Sequence, residues 1–103
     1  QPLQTPIQAV YDFLKQHNPM ILCRTNKQVK GIQELGWINT TTIHQAKGLE
    51  YDNVVVVDTA IKDSEDLNVA YVAMTRARNG LLVIPWPVLE DLLRRYQINP
   101  YGI

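Results

Sequence analysis

Cysteine is almost missing from this sequence: among its 103 residues Cys23 stands alone. One thiol excludes a disulfide framework within the chain and a structural zinc site built from several thiolates. Set in an apolar run, Cys23 reads as buried and inert rather than reactive. An excess of either charge is missing too, since ten Lys and Arg offset ten Asp and Glu and the pI lies near 6.9. That excludes a protein gripping duplex DNA mainly through a massed positive face. It leaves room for a local nucleic-acid groove, weak alone and completed by another domain. No run approaches the length of a membrane helix, and the first residues have no charged segment leading into an apolar one. A soluble, cytoplasmic protein with no membrane partner is expected. A Gly-rich phosphate loop ending in Lys and a hydroxyl residue is also lacking. Lys47-Gly48 comes nearest, without the upstream glycine or the following hydroxyl. Asp58 stands alone after a strand, so no acidic pair offers a magnesium site.

What remains is a sequence of 46% hydrophobic residues, enough for one compact domain over 1–103 with a modest core. Gln1 in place of an initiating Met points to a fragment of a longer protein. Thr5-Pro6-Ile7-Gln8 carries the signals of a helix start, a capping hydroxyl, a proline at the first helical position and a glutamine to close the box. Behind it Ile7, Val10, Tyr11 and Leu14 form one stripe on a helix ending near Asn18-Pro19. MILC at 20–23 is a short continuous apolar run, expected of a strand covered on both faces. A second helix is predicted over Asn26 to Leu35, stopped by Gly36, and the β-branched WINTTTI at 37–43 reads as a strand.

VVVV at 54–57 is the clearest buried strand. Asp63, Glu65 and Asp66 suit the positive end of a third helix, whose predicted stripe is Leu67, Ala70, Tyr71 and Met74. Gly80 opens a last strand, LLVI at 81–84, broken by Pro85. Pro87 starts a last helix with the stripe Leu89, Leu92, Leu93 and Tyr96. Buried strands alternating with amphipathic helices imply an α/β fold with a mostly parallel sheet flanked by helices. In such sheets functional loops lie beyond the carboxyl ends of the strands, which directs attention to the residues after Cys23, those after Ile43, and the third helix.

All three places carry unusual residues: Arg24-Thr25-Asn26, then His44, Gln45, Lys47, Gly48 and Glu50, then Thr75, Arg76 and Arg78. Taken singly, each has an ordinary reading. An arginine at a helix end is usually a solvated partner of the dipole, a lone histidine is usually structural or at the surface, and Glu50 could stabilise its own turn. Trp37 and Trp86 suit core or interface packing better than base stacking, and Arg94-Arg95 suits a solvated helix end.

Taken together they are more specific. MILCRTN at 20–26, TIHQAKGLEYDNVVVV at 42–57 and NVAYVAMTRAR at 68–78 resemble, in order, the last three conserved motifs of the UvrD/Rep-type helicases of superfamily one. The middle motif, with its His-x-x-Lys-Gly-Leu-Glu core, is highly specific, and the third is nearly as strong. The resemblance implies the second, C-terminal RecA-like domain of an ATP-dependent DNA helicase or translocase, a three-layer sandwich. Arg76 matches the arginine finger, whose planar charged fork suits a γ-phosphate, and Arg24 matches an arginine that approaches the same phosphate. Glu50 matches the acceptor for the ribose hydroxyls, Gly48 the tight turn that lets the backbone near the nucleotide, and Thr42 and His44 the residues facing single-stranded DNA. Lys47 is a phosphate contact or a salt-bridge partner. Arg78 reinforces the finger or is surface.

The cofactor implied is ATP with Mg, held mainly by a partner, the N-terminal RecA-like helicase domain, in cis or in trans. The chain by itself should not hydrolyse ATP. It departs from UvrD and Rep in one respect: only about ten residues separate Asn26-Lys27-Gln28 from the strand at 37, a single short element, so the large helical insertion of those relatives is missing. The alternatives are a degenerate, non-catalytic helicase module that binds protein or nucleic acid, and an unrelated nucleotide-binding α/β domain.

Overall fold

A computed structural model describes residues 7–58 and 64–96. The elements run α1 (Ile7–His17), β1 (Met20–Cys23), α2 (Asn26–Glu34), β2 (Thr40–Thr42), β3 (Tyr51–Asp58), α3 (Ser64–Met74), β4 (Ala77–Pro85) and α4 (Trp86–Tyr96). The four strands form one sheet in the order β2-β1-β3-β4, and all neighbours are parallel.

Alternating side chains of the central strands feed two cores. Ile21 and Cys23 of β1 and Val55 and Val57 of β3 pack with Val10 and Leu14 of α1, Ile32 of α2, and Leu89, Leu92 and Leu93 of α4. From the other side of the same strands Leu22, Val54 and Val56 meet Ala73 of α3, and Ile43 and Ala46 of the β2–β3 connection. Thus α1, α2 and α4 cover one face, while α3 and the 43–50 segment cover the other. The chain steps outward from β1 to β2 across the first face and returns through β3 to β4 across the second, as it must if every crossover keeps the right hand. The result is the expected α/β sandwich of RecA-like type. No helix among the described residues is long and apolar enough to cross a membrane.

Local chemistry sets the boundaries. Helix α1 ends because Asn18 turns left-handed, at φ +45°, with its N–H on the Leu14 carbonyl. Its predicted cap, Thr5-Pro6, lies outside the described residues, as do Asp63 and the side chains of Ile7, Glu65, Asp66 and Tyr96. Helix α2 is capped by Thr25 and closed by Gly36 at φ +103°, a conformation that disfavours any side chain. Its buried partner Trp37 shares its indole N–H between the carbonyls of Pro19 and Asn39, at 3.3 and 3.1 Å. Burying a ring of this size contributes on the order of 3 kcal/mol.

Three expectations need correcting. The strand predicted over 37–43 shrinks to Thr40–Thr42, because Trp37 turns into the core and Thr40 N–H closes on the Ile38 carbonyl. Strand β4 starts at Ala77 rather than Gly80, and the register with β3 slips between Tyr51 and Asn53 to admit the extra residue. Gly80 sits inside that strand, where a Cβ would collide with the Asn53 side chain and approach Phe13 at 3.0 Å. Lastly, the face that α3 lays on the sheet is Val69, Val72 and Ala73. Of the predicted stripe, Leu67 and Tyr71 are 54% and 65% exposed and Met74 is 37% exposed. At spacings of three and four residues these three form a second apolar stripe on the opposite side of the helix.

Candidate functional site

The singled-out residues fall at two opposite ends of the sheet. At the carboxyl end stand Arg24 and Thr25, directly after β1, and Thr42 to Gln45, at and after the end of β2. The chain leaves β1 toward one face and β3 toward the other, so a crevice between them is where a parallel sheet ordinarily receives a ligand. Both loops here are shaped by a Thr-x-x-Gln pattern. Thr25 Oγ1 accepts from the Gln28 N–H at 3.2 Å, and Gln28 Oε1 accepts from the Arg24 N–H at 3.1 Å. Thr42 Oγ1 accepts from the Gln45 N–H at 3.2 Å, while Gln45 Oε1 accepts from the hydroxyls of Thr41 and Thr42, at 2.8 and 3.2 Å. This reciprocal arrangement satisfies donors at a helical start. Thr42 is therefore buried and its hydroxyl is consumed by its own turn, so it is a cap rather than a group offered outward. His44, one turn position on, is exposed, and Arg24 is half-buried.

From there the chain crosses the second face of the sheet in a helical turn, Ala46 N–H on the Thr42 carbonyl and Lys47 N–H on that of His44. Ala46 is anchored in the core. Gly48, at φ +79°, ends the turn, and a Cβ there would meet nothing within 4 Å. What demands glycine is thus the left-handed backbone, which costs other residues about 1 kcal/mol, and the space above it is open. Leu49 and Glu50 follow, both exposed, and β3 begins.

At this amino end of the sheet the 48–50 segment meets the end of α3. The Tyr51 N–H bonds the Arg76 carbonyl at 2.8 Å. The Arg76 side chain turns back and uses all three of its nitrogens: Nε donates to the Val72 carbonyl at 3.1 Å, Nη1 to the Leu49 carbonyl at 3.1 Å, and Nη2 to Thr75 Oγ1 at 3.3 Å. All three acceptors are neutral. By contrast Arg78 pairs with Asp52 at 3.0 Å, Arg94 with Glu90 and Arg95 with Asp91, all at the surface. Among the described residues no carboxylate pairs with Arg76, and a guanidinium with five N–H groups keeps two more for an incoming anion. Glu50 stands on the same rim, next in sequence to Leu49, whose carbonyl holds Nη1.

The structure thus gathers Gly48, Glu50 and Arg76 at one end and Arg24 and His44 at the other. Register puts Arg24 level with Asp58 and Arg76 level with Glu50. Roughly eight residues of strand, about 26 Å, lie between these levels. Arg24 and Arg76 thus stand at opposite ends of this sheet. Thr75 and Leu49, which hold Arg76, and Gln28 and Gln45, which close the caps, carried no assigned role; the two Thr-x-x-Gln spacings were a readable signal, whereas a backbone carbonyl leaves none. Tyr71, earlier explained by packing, is exposed. Lys47 is exposed as well. Cys23 is wholly buried, and burial pushes its thiol up to about 11 against a smaller opposing effect of the Thr40 hydroxyl, so it is inert at neutral pH. Among the described residues no group of three or more His, Cys, Asp or Glu could hold a metal ion.

Residues 38–84 match the family model of the UvrD-like helicase C-terminal domain. The match takes in the segments at 42–57 and 68–78, hence His44, Gly48, Glu50 and Arg76, and leaves out 20–26 with Arg24. A comparison with curated proteins gave no match.

Proposed function

We propose that this chain, whose residues 38–84 match the model of the UvrD-like helicase C-terminal domain, is a helicase component that closes over ATP held by a partner domain and presents Arg76 to the terminal phosphate. The observation that carries this reading is the Arg76 fork, aimed by three neutral acceptors and, among the described residues, paired with no carboxylate. A guanidinium held in this way is preorganised for negative charge that arrives and grows during phosphoryl transfer. Glu50, exposed on the same rim, supplies an acceptor for the ribose hydroxyls. Magnesium and the phosphate cradle are assigned to the partner, since the sequence carries no Gly-rich phosphate loop and the described residues include no group of three or more His, Cys, Asp or Glu that could hold a metal.

A second feature supports a partner on this side. Helix α3 is apolar on two opposite faces, one laid on the sheet and the other, Leu67, Tyr71 and Met74, exposed. A helix apolar all round ordinarily lies between two layers. The outer stripe ends two residues before Arg76, so a domain seated on it also meets the arginine. At the far end of the sheet, His44 and Arg24 serve single-stranded DNA, His44 by packing on sugar or base and Arg24 by pairing with phosphate.

The deciding experiment is Arg76→Ala in the assembled helicase. ATP turnover should fall by about 10³-fold or more with nucleotide affinity retained. Turnover close to that of the parent protein overturns the reading, and so does substantial ATPase activity from residues 1–103 alone.

A further inference from the structure

Near its end α3 tightens. The Arg76 N–H bonds the Ala73 carbonyl at 3.2 Å, three residues back, in place of the Val72 carbonyl four residues back. This frees the Val72 carbonyl, and two side-chain donors take it: Thr75 Oγ1 at 3.0 Å and Arg76 Nε at 3.1 Å. Once its own hydrogen is committed to Val72, the Thr75 hydroxyl offers only lone pairs, and Arg76 Nη2 points at them from 3.3 Å. Carbonyl, hydroxyl and guanidinium form a closed ring of contacts around one exposed residue.

From this ring we propose that Thr75 is a positioning residue for Arg76, resting on the arginine-finger reading above. The hydroxyl is the third anchor of the planar fork, holding Nη2 while the Val72 and Leu49 carbonyls hold Nε and Nη1, and so limits its tilt. Threonine suits the task because its branched Cβ limits the side-chain rotamers, so little order is lost when the contact forms. A hydroxyl that only satisfied a spare carbonyl would have no reason to take a guanidinium as well, and an aspartate in the same place would hold the fork more firmly but cancel its charge. Thr75 therefore acts on the orientation of Arg76 without reaching the nucleotide.

Two substitutions in the assembled helicase test this. Thr75→Val keeps the shape and removes the hydroxyl; it should lower kcat for ATP about tenfold and leave KM within about twofold. Thr75→Ser restores the hydroxyl and should bring kcat back to within about twofold of the parent. If Thr75→Val leaves kcat unchanged while Arg76→Ala abolishes turnover, the positioning role is wrong and the arginine reading stands. If Thr75→Ser fails to restore what Thr75→Val loses, shape rather than hydrogen bonding is at work, and the role is again wrong. If Arg76→Ala itself has no effect, both fall together. In the chain alone, the Arg76 side-chain Nε–H resonance should exchange faster with water in Thr75→Val than in Thr75→Ser; equal rates overturn the proposal.

Discussion

The two ends of the sheet are built in different ways. The carboxyl end is made from local patterns. Thr25 with Gln28, and Thr42 with Gln45, each close a cap within four residues of sequence, and Arg24 and His44 ride on the loops so formed. The amino end is made by contacts across the fold, where the turn at Gly48 brings the Leu49 carbonyl to an arginine far along the chain. Local caps give a surface that forms early and tolerates change in its neighbours. A fork held from a distant segment keeps its aim only while the sheet between is intact. The first suits a track along which a strand moves, the second a group that must stand at one angle.

Four experiments break or sharpen that contrast. The largest effect is expected from comparing Arg76→Ala with Arg24→Ala in the assembled helicase. The first should remove ATP turnover by about 10³-fold and spare nucleotide-free single-strand binding, whereas Arg24→Ala should leave the KM for ATP within about twofold and flatten the salt dependence of strand binding by about 0.7 in log–log slope. Equal losses of turnover from both would show that the two ends do not act separately. Next, His44→Ala should weaken single-strand affinity roughly tenfold, the scale of one lost sugar or base contact. Unchanged affinity in a direct titration removes His44 from the track.

A smaller effect is expected from the caps. Thr42→Ala should cost about 1 kcal/mol in chemical denaturation, and Thr25→Ala a comparable amount, because each loses a side-chain bond to a helical N–H. If Thr42→Ala left stability unchanged yet reduced DNA affinity, the outward role first expected for Thr42 would be right and its role as a cap secondary. The smallest effect belongs to Asp52→Asn, which breaks the exposed pair with Arg78. A cost near 0.3 kcal/mol, vanishing in high salt, is expected. A loss of turnover there would mean that Arg78 shares the work of Arg76.

Much of the fold was legible in the residues themselves. MILC and VVVV read as strands covered on both faces because each apolar run is too short for a buried helix, and Asn18 and Gly36 mark helix ends through the left-handed backbone they permit. Helix α3 was read with the wrong face inward for a physical reason: Leu67, Tyr71 and Met74 satisfy the same periodicity as Val69, Val72 and Ala73, and periodicity has a phase but no preference between two apolar sides. Trp37 lies next to β-branched residues and so reads as strand, although its bulk and its indole N–H draw it under the sheet.

The candidate site was legible in its residue types and not in its arrangement. The motifs named Arg76, Glu50, Gly48 and His44, but the rule that ligands gather beyond the carboxyl ends of strands led to one rim when the residues occupy two. Arg76 follows a helix that runs back along the sheet, so it emerges beside the first residue of β3. What secures it there is chiefly main-chain oxygen, which has no letter in a sequence.

The segment from Ile43 to Glu50 has a consequence of length. It leaves β2 at its last residue and must reach the first residue of β3, passing beneath β1, a distance of about 20 Å at the rise of an extended strand. Five residues of helical turn supply about 8 Å and the extended remainder about 10 Å. Fully extended, the nine steps from Thr42 to Tyr51 would reach about 30 Å, so the turn holds length in reserve. Ala46, pinned midway in the core, divides the segment between the loop that carries His44 and the turn that carries the Leu49 carbonyl.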